Sequence, residues 1–108
     1  MTSQQTVTPE VQQTVSLFLT RVKQAGIPIN AAYVFGSQAK GTAQPWSDID
    51  VCVVSKTFGH NRYDERLKLL KLTDQRTIDI EPHPYSPDDL KFALDPLASE
   101  IRKFGIAV

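Results

Sequence analysis

Val11, Val15, Phe18 and Val22 recur at helical spacing, and Leu19 widens the stripe they form. A repeat of three to four residues gathers side chains on one side of a helix, so this stretch is predicted to be an amphipathic helix burying that side. Thr8-Pro9-Glu10 marks its start with a hydroxyl cap, a proline at the first helical position and an acid in the first turn. Arg21, Lys23 and then Gly26 mark its end. The preceding residues 1–7, rich in Thr, Ser and Gln, are expected to fray.

Beyond Gly26 the pattern changes period. Ala31 to Phe35 is a short apolar run, Ile49 to Val54 is a β-branched run bounded by polar residues, and Thr77 to Glu81 alternates until Pro82 and Pro84 close it. Each is predicted to be a strand. Between the last two, residues 62–74 carry Leu67, Leu69, Leu70 and Leu72, which predicts a helix of about three turns. Ser86-Pro87-Asp88-Asp89 begins another short helix with Leu90 and Leu94 facing inward. Asp95-Pro96 begins one more, carrying Leu97, Ile101 and Phe104, and Gly105 ends it before a last strand at 106–108. Strands alternating with helices predict an α/β domain with helices packed mainly on one face of the sheet.

The alternation also places chemistry. Side chains of a strand point to opposite faces in turn, so Asp48 and Asp50 project together while Ile49, Val51 and Val53 project the other way. The later strand repeats the phase, with Ile78 and Ile80 inward and Asp79 and Glu81 outward. If the two strands are neighbours, three or four carboxylates converge, and like charges raise one another's pKa. A divalent cation resolves that conflict, and hard oxygen ligands favour magnesium or manganese over zinc. Upstream, Gly36 lets the backbone approach a ligand closely, and Ser37 offers a hydroxyl and an amide to phosphate oxygens. A D-x-D pair or a Gly-Ser turn is common by itself; the ordered set is specific.

Composition narrows the partners. Twelve basic and twelve acidic residues cancel, so no global field draws the chain to extended nucleic acid or to anionic lipid. An anionic substrate must therefore be held by a local site. A single cysteine, Cys52, excludes an internal disulfide and a Cys-based zinc site. Met1 to Thr8 has no apolar run, which argues against a signal peptide or membrane span there, and a cytoplasmic location is expected. At 108 residues the chain is expected to be one domain, 1–108. His60 and His83 lack a metal-ligand spacing and read as solvated, and Cys52 as packed; Trp46 reads equally as a cover for the site or partner contact and as a partly packed loop aromatic.

The text Gly36-Ser37-Gln38-Ala39-Lys40-Gly41 followed by Ser47-Asp48-Ile49-Asp50-Val51, with ten residues between Ser37 and Asp48, resembles the signature of the polymerase-beta-like nucleotidyltransferase superfamily. In length and in these residues the chain is similar to its minimal nucleotidyltransferases (MNT). The resemblance covers residues 31–82 well and Glu100 to Ile106 more loosely; members commonly carry Arg where this chain has Lys40. It implies the fold of that superfamily, with a mixed sheet. It also implies that Asp48, Asp50 and a third acid on the next strand hold two magnesium ions. Asp79 matches that third position best, with Glu81 the runner-up. Gly36 and Ser37 would bind the terminal phosphates of ATP. Lys40 is read with two equal alternatives, neutralising a triphosphate oxygen or standing as an exposed loop lysine.

The implied reaction transfers AMP from ATP to a hydroxyl, with pyrophosphate leaving. Many minimal members are the antitoxins of HEPN/MNT toxin–antitoxin pairs of type VII character. There the acceptor is a tyrosine of a HEPN-domain toxin, so a hetero-oligomer with such a partner is the expectation. Two alternatives stand beside it: a non-catalytic antitoxin that occludes its partner, and a nucleotidyltransferase acting on a small-molecule acceptor.

Overall fold

The computed structural model describes residues 7–108. The predicted fraying of 1–7 thus falls outside the described residues except at Val7, which is buried in the core. Helix α1 spans Pro9–Gln24, and the Thr8 hydroxyl accepts from the Val11 amide as its cap. Strand β1 is Ala31–Phe35, α2 a single turn at Ser37–Lys40, and β2 is Ile49–Val54, with the bounds its β-branched run predicts. Helix α3 is Arg62–Leu70, β3 Ile80–Tyr85, α4 Pro87–Phe92, α5 Pro96–Phe104 and β4 Ile106–Ala107. Ser86 and Asp95 cap α4 and α5 through their side chains, as their sequences require.

The strands form one mixed sheet in the order β3-β2-β1-β4. β1 runs antiparallel to both β2 and β4, whereas β2 and β3 are parallel and α3 is the crossover between them. Alternation along β2 divides its side chains between two cores. Val51 and Val53 meet Val15, Phe18 and Val22 of α1 and Leu69 of α3 on one face. On the other, Cys52 and Val54 join Phe35, Tyr85 and Ala98 and Ile101 of α5. Thus α1 and α3 cover one face, while α4 and α5 cover only part of the second.

The largest departure from the predicted pattern lies around β3, which starts at Ile80 rather than at Thr77. Buried Thr77 is held in a turn with Asp74: the Asp74 amide donates to Thr77 Oγ1, and the Asp74 carboxylate accepts from the Arg76 and Thr77 amides. That turn leaves Ile78 72% exposed, contrary to its predicted inward position. The strand then runs through Pro82 and Pro84, the residues read as its end. It can do so because β3 is an edge strand. The carbonyls of Asp79 and Tyr85 accept from β2-side amides of Ile49 and Ser55, so by alternation the polar backbone groups of residues 80, 82 and 84 face the free edge. A missing N–H costs no ladder bond there, and the prolines also block pairing by a further strand.

Smaller corrections follow from where helices stop. α3 ends at Leu70, short of residue 74, so Leu69 is enclosed while Leu67 and Leu70 lie at the surface. α4 ends before Leu94, which is 96% exposed rather than inward; Leu90 and Ala93 pack from that segment instead.

Candidate active site

Asp50 is the second residue of β2, and the register places it between Phe35 of β1 and Glu81 of β3. Two carboxylates are thereby aligned across parallel strands on the same face, at the end that α5 leaves open. Asp48 stands just before β2 in the exposed loop. Burial, and then the charges of Asp48 and Asp50 with which it shares hydrogen bonds, push the Glu81 carboxyl above its ordinary range. His83, two residues along β3 from Glu81, turns its ring to the same group: Nε2 lies 3.4 Å from Asp50 Oδ1. The Phe35 ring meets the imidazole edge-on with centroids 5.1 Å apart, which fixes the ring against the cluster.

The turn after β1 closes the other side. Gly36 has φ 72° and ψ −149°, a conformation essentially reserved for glycine. A Cβ built at Gly36 would collide with the Asp50 carboxylate, so glycine is required both by the backbone and by the approach of the acid. The Gly36 carbonyl accepts from the Ala39 and Lys40 amides and starts α2, and Gln38 Nε2 reaches the Asp48 carbonyl at 3.5 Å. The Gly-Ser turn and the acids are thus one local unit.

The donor set fits a divalent cation. One ligand atom each from Asp50, Glu81 and His83 lies within 4.8 Å of the others, and the crowding that raises the Glu81 pKa is the conflict a cation relieves. Two carboxylates beside a glycine turn with free backbone approach suit handling of a polyphosphate. The family model described as "Nucleotidyltransferase domain" matches residues 15–103. The chain belongs to the nucleotidyltransferase domain family.

Two kinds of relative agree. A protein of Methanocaldococcus jannaschii carrying the name "Putative protein adenylyltransferase" is 34% identical over 86 residues, covering 74% of this chain. The chain spans 58% of that relative's length. Among solved structures, a Sulfolobus solfataricus protein named "putative nucleotidyltransferase" superposes with a TM-score of 0.63 at 18% identity over 91% of this chain and 81% of its own. A toxin–antitoxin crystal structure with AMP-PNP superposes with a TM-score of 0.55 at 23% identity, covering 85% of this chain and 69% of the other. At such identities these two likenesses establish a shared fold, the polymerase-beta-like α/β arrangement with a mixed sheet.

Within this nucleotidyltransferase domain the sequence-predicted residues have separate fates. Gly36, Ser37, Asp48 and Asp50 are gathered at one end of the sheet. Asp79 is not part of the group: it lies in the turn before β3, exposed, and contributes its carbonyl to the β2 amide of Ile49. The register sets Glu81, the runner-up, beside Asp50 instead, because the Asp74–Thr77 turn delays the strand. Lys40 directs its ammonium to Glu100 of α5 at 2.8 Å and stacks over Phe104, so it ties α2 to α5.

His83, expected to be a solvated loop histidine, lies in β3 with its ring against Asp50. Its period-two relation to Glu81 was the available signal, masked by the flanking prolines. Cys52 is packed, as expected, and burial holds its thiol up at about 12. Trp46 is 80% exposed in the loop before the acids. A groove of about 470 Å³ between α1 and β4 lies at the opposite edge of the sheet from Glu81, and among the described residues no acid lines it. Among the described residues no helix is long and apolar enough to cross a membrane.

Proposed function

We propose that this domain transfers AMP from ATP to a hydroxyl of a partner protein. The observation that carries the reading is the pairing of Asp50 with Glu81 across β2 and β3, directly beside the glycine turn that only glycine can make. In the proposed reaction Gly36 and Ser37 hold the terminal phosphates, and Asp48, Asp50 and Glu81 face the α-phosphate. The acceptor oxygen bonds to the α-phosphorus, the bond to the bridging oxygen of the β-phosphate breaks, and pyrophosphate leaves. Glu81, aligned with Asp50 across the strands, is placed to take the acceptor's proton, in place of the Asp79 expected from the sequence. His83 orients Asp50 through its ring nitrogen.

Asp50, Glu81 and His83 would hold magnesium, with Asp48 beside Glu81 at the cluster's margin. When bound, the ion would neutralise the carboxylates and polarise the phosphates. The name of the M. jannaschii relative supports a protein acceptor, and the toxin–antitoxin structure with AMP-PNP that shares the fold is in keeping with an antitoxin role; a HEPN toxin with a tyrosine acceptor is what the resemblance to minimal nucleotidyltransferases implies.

The test is transfer of label from α-labelled ATP with magnesium to a co-expressed HEPN protein, with wild type and the Asp48→Asn/Asp50→Asn double variant. Label on the partner from wild type only is the expected result. A double variant that neutralises the partner as fully as wild type would assign the protection to occlusion instead.

A further inference from the structure

A second feature adjoins the acid cluster on the β3 side. Arg62, Tyr63 and Arg66 of α3 face His83, Tyr85 and Leu97 across a groove of about 390 Å³. His83 belongs to both places: it lines the groove and touches Asp50. The groove is cationic on one wall and aromatic or apolar on the other, and no carboxylate among the described residues lines it. Arg62 is fixed over the Tyr85 ring at 4.2 Å and lies 3.9 Å from Asp95, which offsets part of its charge. Arg66 is exposed and, among the described residues, forms no ion pair.

The helix that carries both arginines has a firmly held start. Asn61 caps it, and the Glu65 carboxylate accepts from the amides of Gly59, His60 and Asn61. Burial alone would raise the Glu65 pKa, and these three amides reverse that and lower it. The arginines are therefore presented from a fixed platform.

In-line displacement assigns the groove a role. Entering and leaving oxygens must lie on opposite sides of the phosphorus. With the Gly36-Ser37 turn on the β1 side of Asp50 as the phosphate cradle, the acceptor must approach from the β3 side, where this groove opens. An acceptor entering past Asp48, Asp50 and Glu81 meets three carboxylates. Arg66 and Arg62 supply the opposite charge at the one approach where it is needed.

Resting on the proposed transfer to a protein hydroxyl, the geometry points to this groove as the acceptor subsite, with Arg66 and Arg62 recognising acidic residues that flank the modified hydroxyl. A polypeptide fits better than a nucleic acid. Two arginines on a chain of zero net charge are a local contact, without the cationic track that a phosphate backbone needs.

The probes are three synthetic peptides with one central tyrosine, flanked by glutamates, by serines or by lysines, and a short RNA oligonucleotide. Their binding to the full chain with ATP and magnesium is read by fluorescence anisotropy, and transfer of α-label is read separately. The glutamate peptide is expected to bind at least tenfold more tightly than the serine peptide. Arg66→Glu should abolish that preference, while Lys68→Glu, the same charge change elsewhere on α3, should preserve it. Equal binding of the three peptides, an unchanged preference in Arg66→Glu, or tighter binding of the RNA would each overturn the subsite. So would an equal loss of ATP affinity in Arg66→Glu, which would assign the groove to the nucleotide. Absence of label transfer from wild type to any acceptor, with the binding preference intact, would instead count against the proposed reaction.

Discussion

Asp50 and Cys52 sit on the same face of the same strand, one pleat apart, in opposite surroundings. Asp50 is half-buried among Glu81, His83 and the Gly36 turn; Cys52 is fully enclosed beside Phe35, Tyr85 and Ile101. The difference is made by the reach of α5, which lies over Cys52 and Val54 and leaves the first residues of β2 uncovered. Two titrating groups on this face of β3 show the same division. Burial lifts both Glu81 and Tyr85, but the next cause at Glu81 is the charge of Asp48 and Asp50, whereas at Tyr85 it is a hydrogen bond to Asp95. One end of the face concentrates unbalanced charge, and the other resolves its polar groups within the fold. A catalytic site built on a strand needs both: an end that is open, and an end packed well enough to hold the open one in register.

The comparison can be broken from either end. The largest effect is expected from Asp50→Asn, which should lower AMP transfer by ~10²–10³-fold, the scale of removing one transition-state contact. Its melting temperature should hold or rise, since a like charge beside Glu81 is removed. A thermal melt alongside the labelled-ATP assay checks both.

Ile101→Ala should do the converse. It removes a buried side chain from the α5 core at a cost of about 3 kcal/mol, measured by urea unfolding, with transfer per folded molecule largely retained.

Gly36→Ala tests the junction of the two ends. Its positive φ and the collision with Asp50 predict a loss of about 2 kcal/mol together with impaired transfer. A variant that kept full activity would show that the acid does not need the close approach of the turn.

Tyr85→Phe is the mildest. It removes the bond from the Tyr85 hydroxyl to Asp95, whose carboxylate also caps α5, for about 1 kcal/mol near neutrality. It has a pH signature. The Tyr85 hydroxyl is held up at about 12, so the folded state retains its proton longer than the unfolded chain does. Its stabilisation is complete below the ordinary value near ~10 and is lost as pH rises toward 12. The wild type should lose stability through that window, and Tyr85→Phe should lose less, as followed by unfolding at stepped alkaline pH.

Much of this was legible in the chain because it is local. The caps at Thr8, Ser86 and Asp95, the period of Val11 to Val22, and the run Ile49 to Val54 each depend on neighbours a few residues away. The Gly36-Ser37 turn and the Asp48-Asp50 pair were readable for the same reason. β3 was not. Pro82 and Pro84 are incompatible with a central strand, and only the sheet order shows that this strand lies at an edge. Prolines that end a strand by local rules set the expected strand at Thr77 to Glu81, with Asp79 as its acid; the edge position lets the strand run on through Pro82 and Pro84, which brings Glu81 and His83 to the site. Leu94 and Ile78 are exposed for a related reason: each lies where a turn breaks the regular period of the neighbouring element.

The sequence by itself determined which residues are on one face of each element, because side-chain direction follows from backbone repeat alone. It also determined the glycine turn and two of the acids, whose spacing is carried within one stretch of chain. Tertiary structure decided which acid joins them, because the parallel pairing of β2 with β3 sets the register between residues some thirty positions apart. It decided, too, which end of the face is open, since that depends on how far α5 extends. The groove of Arg62 and Arg66 exists only because α3 returns along the edge of β3, beside a histidine that the chain alone had placed elsewhere.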